Sequence, residues 1–391
     1  MEIKVSKAAL CMRLSICKML CFVPLFISTI LLISACEPSK DLSKPVNDTE
    51  KEHSQSNHLE TSVGNLKVPT AETEKIEAIF GWLDSETILY SVKRDGNELS
   101  QLMAWNLETN DTSVFYQPAF AFSEVSISPS GTHILLSSFT SSDKASITIL
   151  DKTGNPLYSV AIPAYELAYE WNSFKDGRLF VSSFYEDWTY SSYVLNPDEQ
   201  TMETLDFPQP FAQWASENEL MFLDWDKEEP ALTAPLERKA LNEDGADSIM
   251  LDVIHFKKMK QELMTIQVET EKQDRGTYAF YDPTNKPIHS FSVPLLKSFS
   301  DWVIPSYDFI EKNKEFITFI PNESKDADQY EGRFTLTKLN WEKGTQEELM
   351  KDMENEPLSC SLDGNFCLYG YQFEKIIDMK THQIQRLFKQ T

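Results

Sequence analysis

From Ile76 to Phe388 the chain repeats itself about every 45 residues, the period of a β-propeller blade. Three markers keep that rhythm. The first is a turn running into an apolar strand: Asp84-Ser-Glu-Thr-Ile-Leu-Tyr90, Pro129-Ser-Gly-Thr-His-Ile-Leu135, Lys175-Asp-Gly-Arg-Leu-Phe180 and Ser216-Glu-Asn-Glu-Leu-Met221. It continues with Met259-Lys-Gln-Glu-Leu-Met264, Glu311-Lys-Asn-Lys-Glu-Phe-Ile317 and Leu362-Asp-Gly-Asn-Phe-Cys367. Each has the turn chemistry of a hairpin between the first two strands of a blade. The second marker is Asp or Asn opening a turn after the third strand, at Asn106, Asp151, Asn196, Asp282, Asn340 and Asp378. The third is Pro in the link to the next blade, at Pro69, Pro118, Pro163, Pro208, Pro294 and Pro357. The second and third markers leave one slot empty, and it is the same slot.

A sheet of four short strands exposes both faces until neighbouring sheets stack on it in a ring. The repeat therefore predicts an all-β fold, a single β-propeller of four-stranded antiparallel blades over residues 74–391. Sparse Gly (12) beside abundant Phe (24) suits strands rather than flexible coil. The hairpins count seven blades. The stretch from Ala212 to Val293 is irregular, and Pro235-Leu-Glu-Arg-Lys-Ala-Leu-Asn242 reads as a short helix or a loop insertion; if the stretch is one elaborated blade, the ring has six. Trp82, Trp171, Trp214 and Trp302 fall near the ends of first strands, where a large side chain fills the wedge between blades.

The first 35 residues read as a lipoprotein signal peptide. Lys4, Lys7, Arg13 and Lys18 precede an apolar run from Met19 to Ile33, too short to span comfortably and broken by Pro24. Ile33-Ser34-Ala35-Cys36 resembles a lipobox, which makes Cys36 the acylated first residue of the mature chain, anchored to the membrane by its acyl chains. Cys11, Cys17 and Cys21 leave with the leader. Residues 36–73 then form a polar tether without the apolar surface to repay ordering, with an r.m.s. reach of about 30 Å. His53 and His58 fall in that tether as solvated side chains.

The formal net charge is −25, and removal of the leader brings the mature chain to about −28. Such charge repels phosphate backbones and anionic lipid headgroups, so nucleic acid is excluded as a partner and the domain is expected to stand apart from the membrane surface beneath it.

The lipobox, the acidic tether and the blade rhythm together resemble the YqgU-like lipoproteins of bacilli. The most specific local text is Ile79-Phe-Gly-Trp-Leu-Asp84 with Ile88-Leu-Tyr90, and Ile127-Ser-Pro-Ser-Gly-Thr-His-Ile-Leu135. These are blade motifs, not catalytic ones. The resemblance spans the whole chain and implies a six-bladed propeller; it supplies no catalytic residue to carry across.

The sequence holds no Gly-x-Ser-x-Gly, Gly-rich phosphate loop, His-Glu-x-x-His or Cys-x-x-Cys, and points to no catalytic residue, metal or cofactor. His133, His255, His289 and His382 read as satisfied or solvated histidines. The acidic loops Asn242-Glu-Asp-Gly-Ala-Asp247 and Asp326-Ala-Asp-Gln-Tyr-Glu331 depart from the twelve-residue calcium loop and read as surface. Topology offers a better candidate, because in a propeller the interblade links and the turns between second and third strands share one face. Links contribute Phe120, Phe122 and Tyr165; turns contribute Tyr185, Glu186, Asp187, Trp188, Tyr190, Asp224, Trp225 and Asp226. Aromatic planes interleaved with carboxylates suit a sugar, a basic peptide or another cationic ligand, unless the rings serve as packing between blades.

Cys360 and Cys367 flank the turn Leu362-Asp-Gly-Asn365. A two-residue Asp363-Gly364 turn sets them face to face and permits a disulfide, whereas a three-residue turn sends them to opposite faces as small hydrophobes.

The expected function is that of a membrane-anchored lipoprotein on the outer, extracytoplasmic face. Its propeller is expected to bind or scaffold an envelope protein, peptide or polysaccharide. The alternative is a propeller enzyme, a hydrolase or lyase acting on cell-envelope glycans with dispersed carboxylates.

Overall fold

The computed structural model describes residues 74–388, apart from 95–98, 227, 230, 269–273 and 300. The expected signal peptide, Cys36, the expected tether and Pro69 lie outside the described residues. Alternating apolar residues make each run a short strand whose two faces both meet neighbouring sheets.

Blade 1 is β1 (Glu74–Trp82), β2 (Thr87–Arg94), β3 (Gln101–Asn106) and β4 (Thr112–Tyr116). Blade 2 is β5 (Glu124–Ile127), β6 (His133–Ser141), β7 (Lys144–Asp151) and β8 (Pro156–Pro163). Blade 3 is β9 (Glu166–Trp171), β10 (Leu179–Phe184), β11 (Tyr190–Asn196) and β12 (Thr201–Leu205). Then come β13 (Gln213–Trp214), β14 (Glu219–Leu223), β15 (Ala234–Ala240), β16 (Asp247–Lys258), β17 (Leu263–Val268), β18 (Arg275–Tyr281) and β19 (Pro287–Pro294), hydrogen-bonded in that order as one seven-stranded sheet. A link ribbon, β20 (Leu296–Lys297) with β21 (Trp302–Val303), follows. Blade 6 is β22 (Tyr307–Ile310), β23 (Glu315–Pro321), β25 (Phe334–Asn340) and β26 (Thr345–Met353), with β24 (Lys325–Asp326) pairing parallel to β20. Blade 7 is β27 (Leu358–Cys360), β28 (Phe366–Tyr369), β29 (Lys375–Asp378) and β30 (Gln383–Arg386).

The seven-stranded sheet is two blades that share a strand. The first part of β16 pairs with β15, from Asp247 opposite Arg238 to Val253 opposite Ala234. The second part pairs with β17, from Val253 opposite Gln267 to Lys258 opposite Leu263. At the changeover Asp252 takes a left-handed φ of 57°. β16 is thus the outer strand of blade 4 and the inner strand of blade 5. Gln213 confirms the second role, since its side-chain amide donates to Phe256 O at 3.0 Å and accepts from Lys258 N at 2.9 Å, joining the inner strands of blades 4 and 5.

Seven apolar clusters among the described residues match seven interfaces between blades. Leu102 and Ile134 pack between blades 1 and 2, Leu135 and Leu179 between 2 and 3, Phe180 and Phe222 between 3 and 4, and Met221 and Leu263 between 4 and 5. Phe280 and Phe316 pack between 5 and 6, Phe319 and Tyr369 between 6 and 7, and Trp105 and Leu368 between 7 and 1. The last closes the ring, supported by Trp82 Nε1 donating to Ser359 O at 2.9 Å. Buried rings of this size each remove a large apolar area from water, about 25 cal/mol per Å2, so the interfaces rather than the sheet edges hold the wheel together.

Counted as four-stranded units the ring has seven blades, as the hairpins predict, and two of them share β16 within one sheet. The segment 235–242 is neither helix nor insertion but mostly β15, the third strand of blade 4. Trp82, Trp171 and Trp214 end β1, β9 and β13, and each indole N–H bonds the inner strand of the preceding blade: Ser359 O, Ser126 Oγ and Glu170 O. Trp302 differs. It opens β21 in the link ribbon and packs into the interface of blades 5 and 6 from there.

Candidate functional site

Antiparallel blades place the links and the turns between second and third strands on one face and all other turns on the opposite one. Seven aromatic side chains among the described residues are more than a third exposed: Phe120, Phe139, Tyr165, Trp188, Phe211, Phe299 and Tyr371. All seven lie on the first face, in links (Phe120, Tyr165, Phe211, Phe299) or at turns between second and third strands (Phe139, Trp188, Tyr371). The strongly exposed large side chains elsewhere are aliphatic: Val114, Met202, Leu251, Ile288 and Leu362.

The densest part of this face lies over blades 3 and 4. The turn 185–189 is closed by Tyr185 N donating to Thr189 O at 2.9 Å, and Trp188 N to Tyr185 O at 2.9 Å. Asp187 Oδ1 accepts from Thr189 N and Oγ1 at 3.0 and 2.7 Å, which holds its carboxyl below the usual range although it is exposed. That clamp leaves Trp188 at φ 66°, a left-handed backbone that a bulky residue adopts only when its surroundings enforce it. Its indole stands 6.5 Å from the ring of Phe184, which also meets Tyr190 at 6.2 Å and Phe211 at 5.6 Å. Tyr165 joins the group by donating its backbone N–H to Phe184 O at 2.8 Å.

The link 206–212 ties this cluster to blade 4. Tyr190 donates its hydroxyl to Pro208 O at 2.7 Å, and burial raises its pKa. Gln209 Nε2 reaches both Asp224 Oδ1 and Trp225 O at 3.0 Å. Asp226 accepts from Glu228 N and Glu229 N, and these bonds lower its pKa, led by Glu229. The structure therefore gathers Tyr165, Tyr185, Glu186, Asp187, Trp188, Tyr190, Asp224, Trp225 and Asp226 in one sector. Within it Tyr190 is mainly a packing residue, and Tyr185 bonds Ser191 Oγ at 2.9 Å. Phe120 and Phe122 stand apart over blades 1 and 2, where Phe122 packs against Phe80 at 6.1 Å while Phe120 is exposed. Sequence reasoning missed Phe184, Phe211, Phe139, Phe299 and Tyr371. Phe211 and Phe299 were within reach, since both sit in links; Phe184 ends a strand and carries no local signal.

A second set of polar groups lines the inner strands. Lys257 Nζ meets Glu170 Oε1 at 3.2 Å, and His255 Nε2 meets Tyr307 OH at 2.7 Å. Asp308 lies on β22, the inner strand of blade 6, largely withdrawn from solvent. That desolvation pushes its carboxyl up to about 6, against the opposing pull of Cys360 N, Phe309 N and Lys257. Its Oδ2 accepts from Cys360 N at 2.6 Å, its Oδ1 from Phe309 N at 2.7 Å.

A family model for the YqgU-like 6-bladed beta propeller domain matches residues 106–370. This chain belongs to that family. Counting hydrogen-bonded blade sheets gives the six of the family's description, and counting four-stranded units gives seven, because β16 is shared. The chain is 26% identical over 367 residues, 94% of its length and 96% of the relative, to the uncharacterized lipoprotein YqgU of Bacillus subtilis (strain 168). The crystal structure of the uncharacterized protein lmo1340 from Listeria monocytogenes EGD-e is similar with a TM-score of 0.73 at 20% identity, covering 81% of this chain and 95% of that one. The β-propeller domain of the Trilobed protease from Pyrococcus furiosus is similar with a TM-score of 0.51 at 11% identity, covering 81% of this chain and 98% of that one. These two likenesses are likenesses of fold.

Proposed function

We propose that the chain is a lipoprotein acylated on Cys36, and that its propeller is a binding or scaffold module meeting another component of the cell envelope through the aromatic face. The observation that carries this reading is the segregation of every strongly exposed aromatic ring among the described residues to that face. Exposed aromatic area gathered on one side of a soluble domain marks a contact surface. The relative from Bacillus subtilis is named a lipoprotein, which supports the lipid anchor and a place at a membrane. Catalysis draws less support from the inner strands, because both oxygens of Asp308, whose carboxyl is raised furthest, are engaged by backbone N–H groups.

Two measurements test the reading in cells. Labelled palmitate should enter the wild type and not Cys36→Ser, which should also leave the membrane fraction. A photoreactive residue at position 188 should form adducts, and one at position 152, in an exposed turn of the opposite face, should form none. Equal labelling from both positions ends the claim for this face.

A further inference from the structure

Glu74 opens β1 and pairs with Arg94 at the end of β2, so the chain enters the ring on the side of the links and of the turns between second and third strands. That side is the aromatic one. The segment leading back to Cys36 is therefore joined to the propeller at the aromatic face, not at the opposite one.

We infer that the aromatic face rests on the lipid bilayer that holds the anchor, with Phe120, Trp188, Phe299 and Tyr371 entering the headgroup region. The inference relies on the proposed function for its lipid anchor and names what the face meets.

The distribution of the rings supports a plane over a small ligand. Phe120 lies in the link from blade 1 to blade 2, Trp188 in a turn of blade 3, Phe299 in the link from blade 5 to blade 6, and Tyr371 in a turn of blade 7. A ligand seated over one sector touches one of these, whereas an extended surface meets side chains dispersed around the whole ring. Trp188 and Tyr371 are also of the types that favour the boundary between headgroups and acyl chains.

The links that carry Phe120, Phe211 and Phe299 hold little net charge despite the acidic total. The link 117–123 carries no ionisable side chain, 206–212 carries Asp206 alone, and in 295–303 Lys297 stands beside Asp301. Other acids of the face sit in turns between second and third strands, such as Glu186, Asp187, Asp226 and Glu229, and in the link 354–357, which carries Glu354 and Glu356. Repulsion from lipid phosphates is screened beyond about 8 Å at physiological salt, and it is weakest over the uncharged link of Phe120.

The test uses the full acylated chain on phosphatidylcholine vesicles with brominated acyl chains, read by tryptophan fluorescence. Quenching is expected for the wild type, and Trp188→Phe should remove at least half of it. Restoring a tryptophan on the opposite face, as Trp188→Phe with Lys152→Trp, should not bring it back. Absence of quenching, or equal quenching from positions 188 and 152, overturns the inference. If vesicles fail in this way while position 188 still forms adducts with a protein or a glycan in cells, the inference falls and the binding-module reading stands. If no adduct forms either, both fall.

Discussion

Lys257 and Glu170 meet at 3.2 Å although the whole of blade 4 separates their strands in the sequence of the ring. The contact spans the inside of the wheel, and both side chains are under a third exposed. Such a pair is screened less than a surface one. A double-mutant cycle with Glu170→Gln and Lys257→Met should return a coupling of about 1 kcal/mol that changes little between 0.1 and 0.5 M salt. A coupling near zero would show that the two inner strands do not approach each other.

Asp308 makes stability depend on pH with a defined sign. Its carboxyl rises from 3.8 in the unfolded chain to about 6 in the fold, chiefly through burial. Between those values the native state holds a proton that the unfolded state has released, so stability falls as pH rises from about 4 through 6 and levels above. The full effect is at most about 3 kcal/mol, at 1.4 kcal/mol per pH unit. Denaturant midpoints across pH 4–7 should decline in the wild type and stay flatter in Asp308→Asn. A wild type as flat as the variant sinks this account.

The ring was legible because its turns are local chemistry. All seven turn-and-strand texts become hairpins between first and second strands, including Met259-Lys-Gln-Glu-Leu-Met264 at the head of β17. The empty Pro slot also had a physical cause: β16 runs from blade 4 into blade 5 without a link, so there is no place for a link Pro. The left-handed Asp252 at the changeover has a counterpart in Asp352 of β26, so that bulge belongs to outer strands and does not by itself mark the shared one. The site was only partly legible. Links and turns can be read in order along the chain, which found Tyr165 and Trp188. Phe184, Glu170 and Asp308 owe their roles to strands brought together by closure, and closure is invisible to a window of any local length.

In blade 7 a four-residue loop sets Ser361 opposite Phe366 and Cys360 opposite Cys367, and the two cysteines are joined as a disulfide. With seven residues of separation the crosslink removes little unfolded-state entropy, on the order of 2 kcal/mol. Adding dithiothreitol should lower the wild-type denaturant midpoint to that of the Cys360→Ser, Cys367→Ser chain and leave the double variant unmoved. A wild type indifferent to the reductant would place the pair among free buried thiols.

Packing between blades also depends on a turn that comes closer to its neighbour than a side chain permits. Gly131, at φ 71°, opens onto blade 1, and a Cβ there would lie 1.9 Å from the carbonyl oxygen of Leu83. Backbone cannot yield as a flexible side chain does, so Gly131→Ala must push the hairpin of blade 2 off blade 1 and also strain φ. The expected loss is about 2–4 kcal/mol in an unfolding titration. Gly245 is the control, since a Cβ there meets nothing within 4 Å, and Gly245→Ala should change stability by less than about 0.5 kcal/mol. Equal costs at the two positions would mean that the first hairpin of blade 2 does not seat against blade 1, and with it would go the stacking that closes the ring.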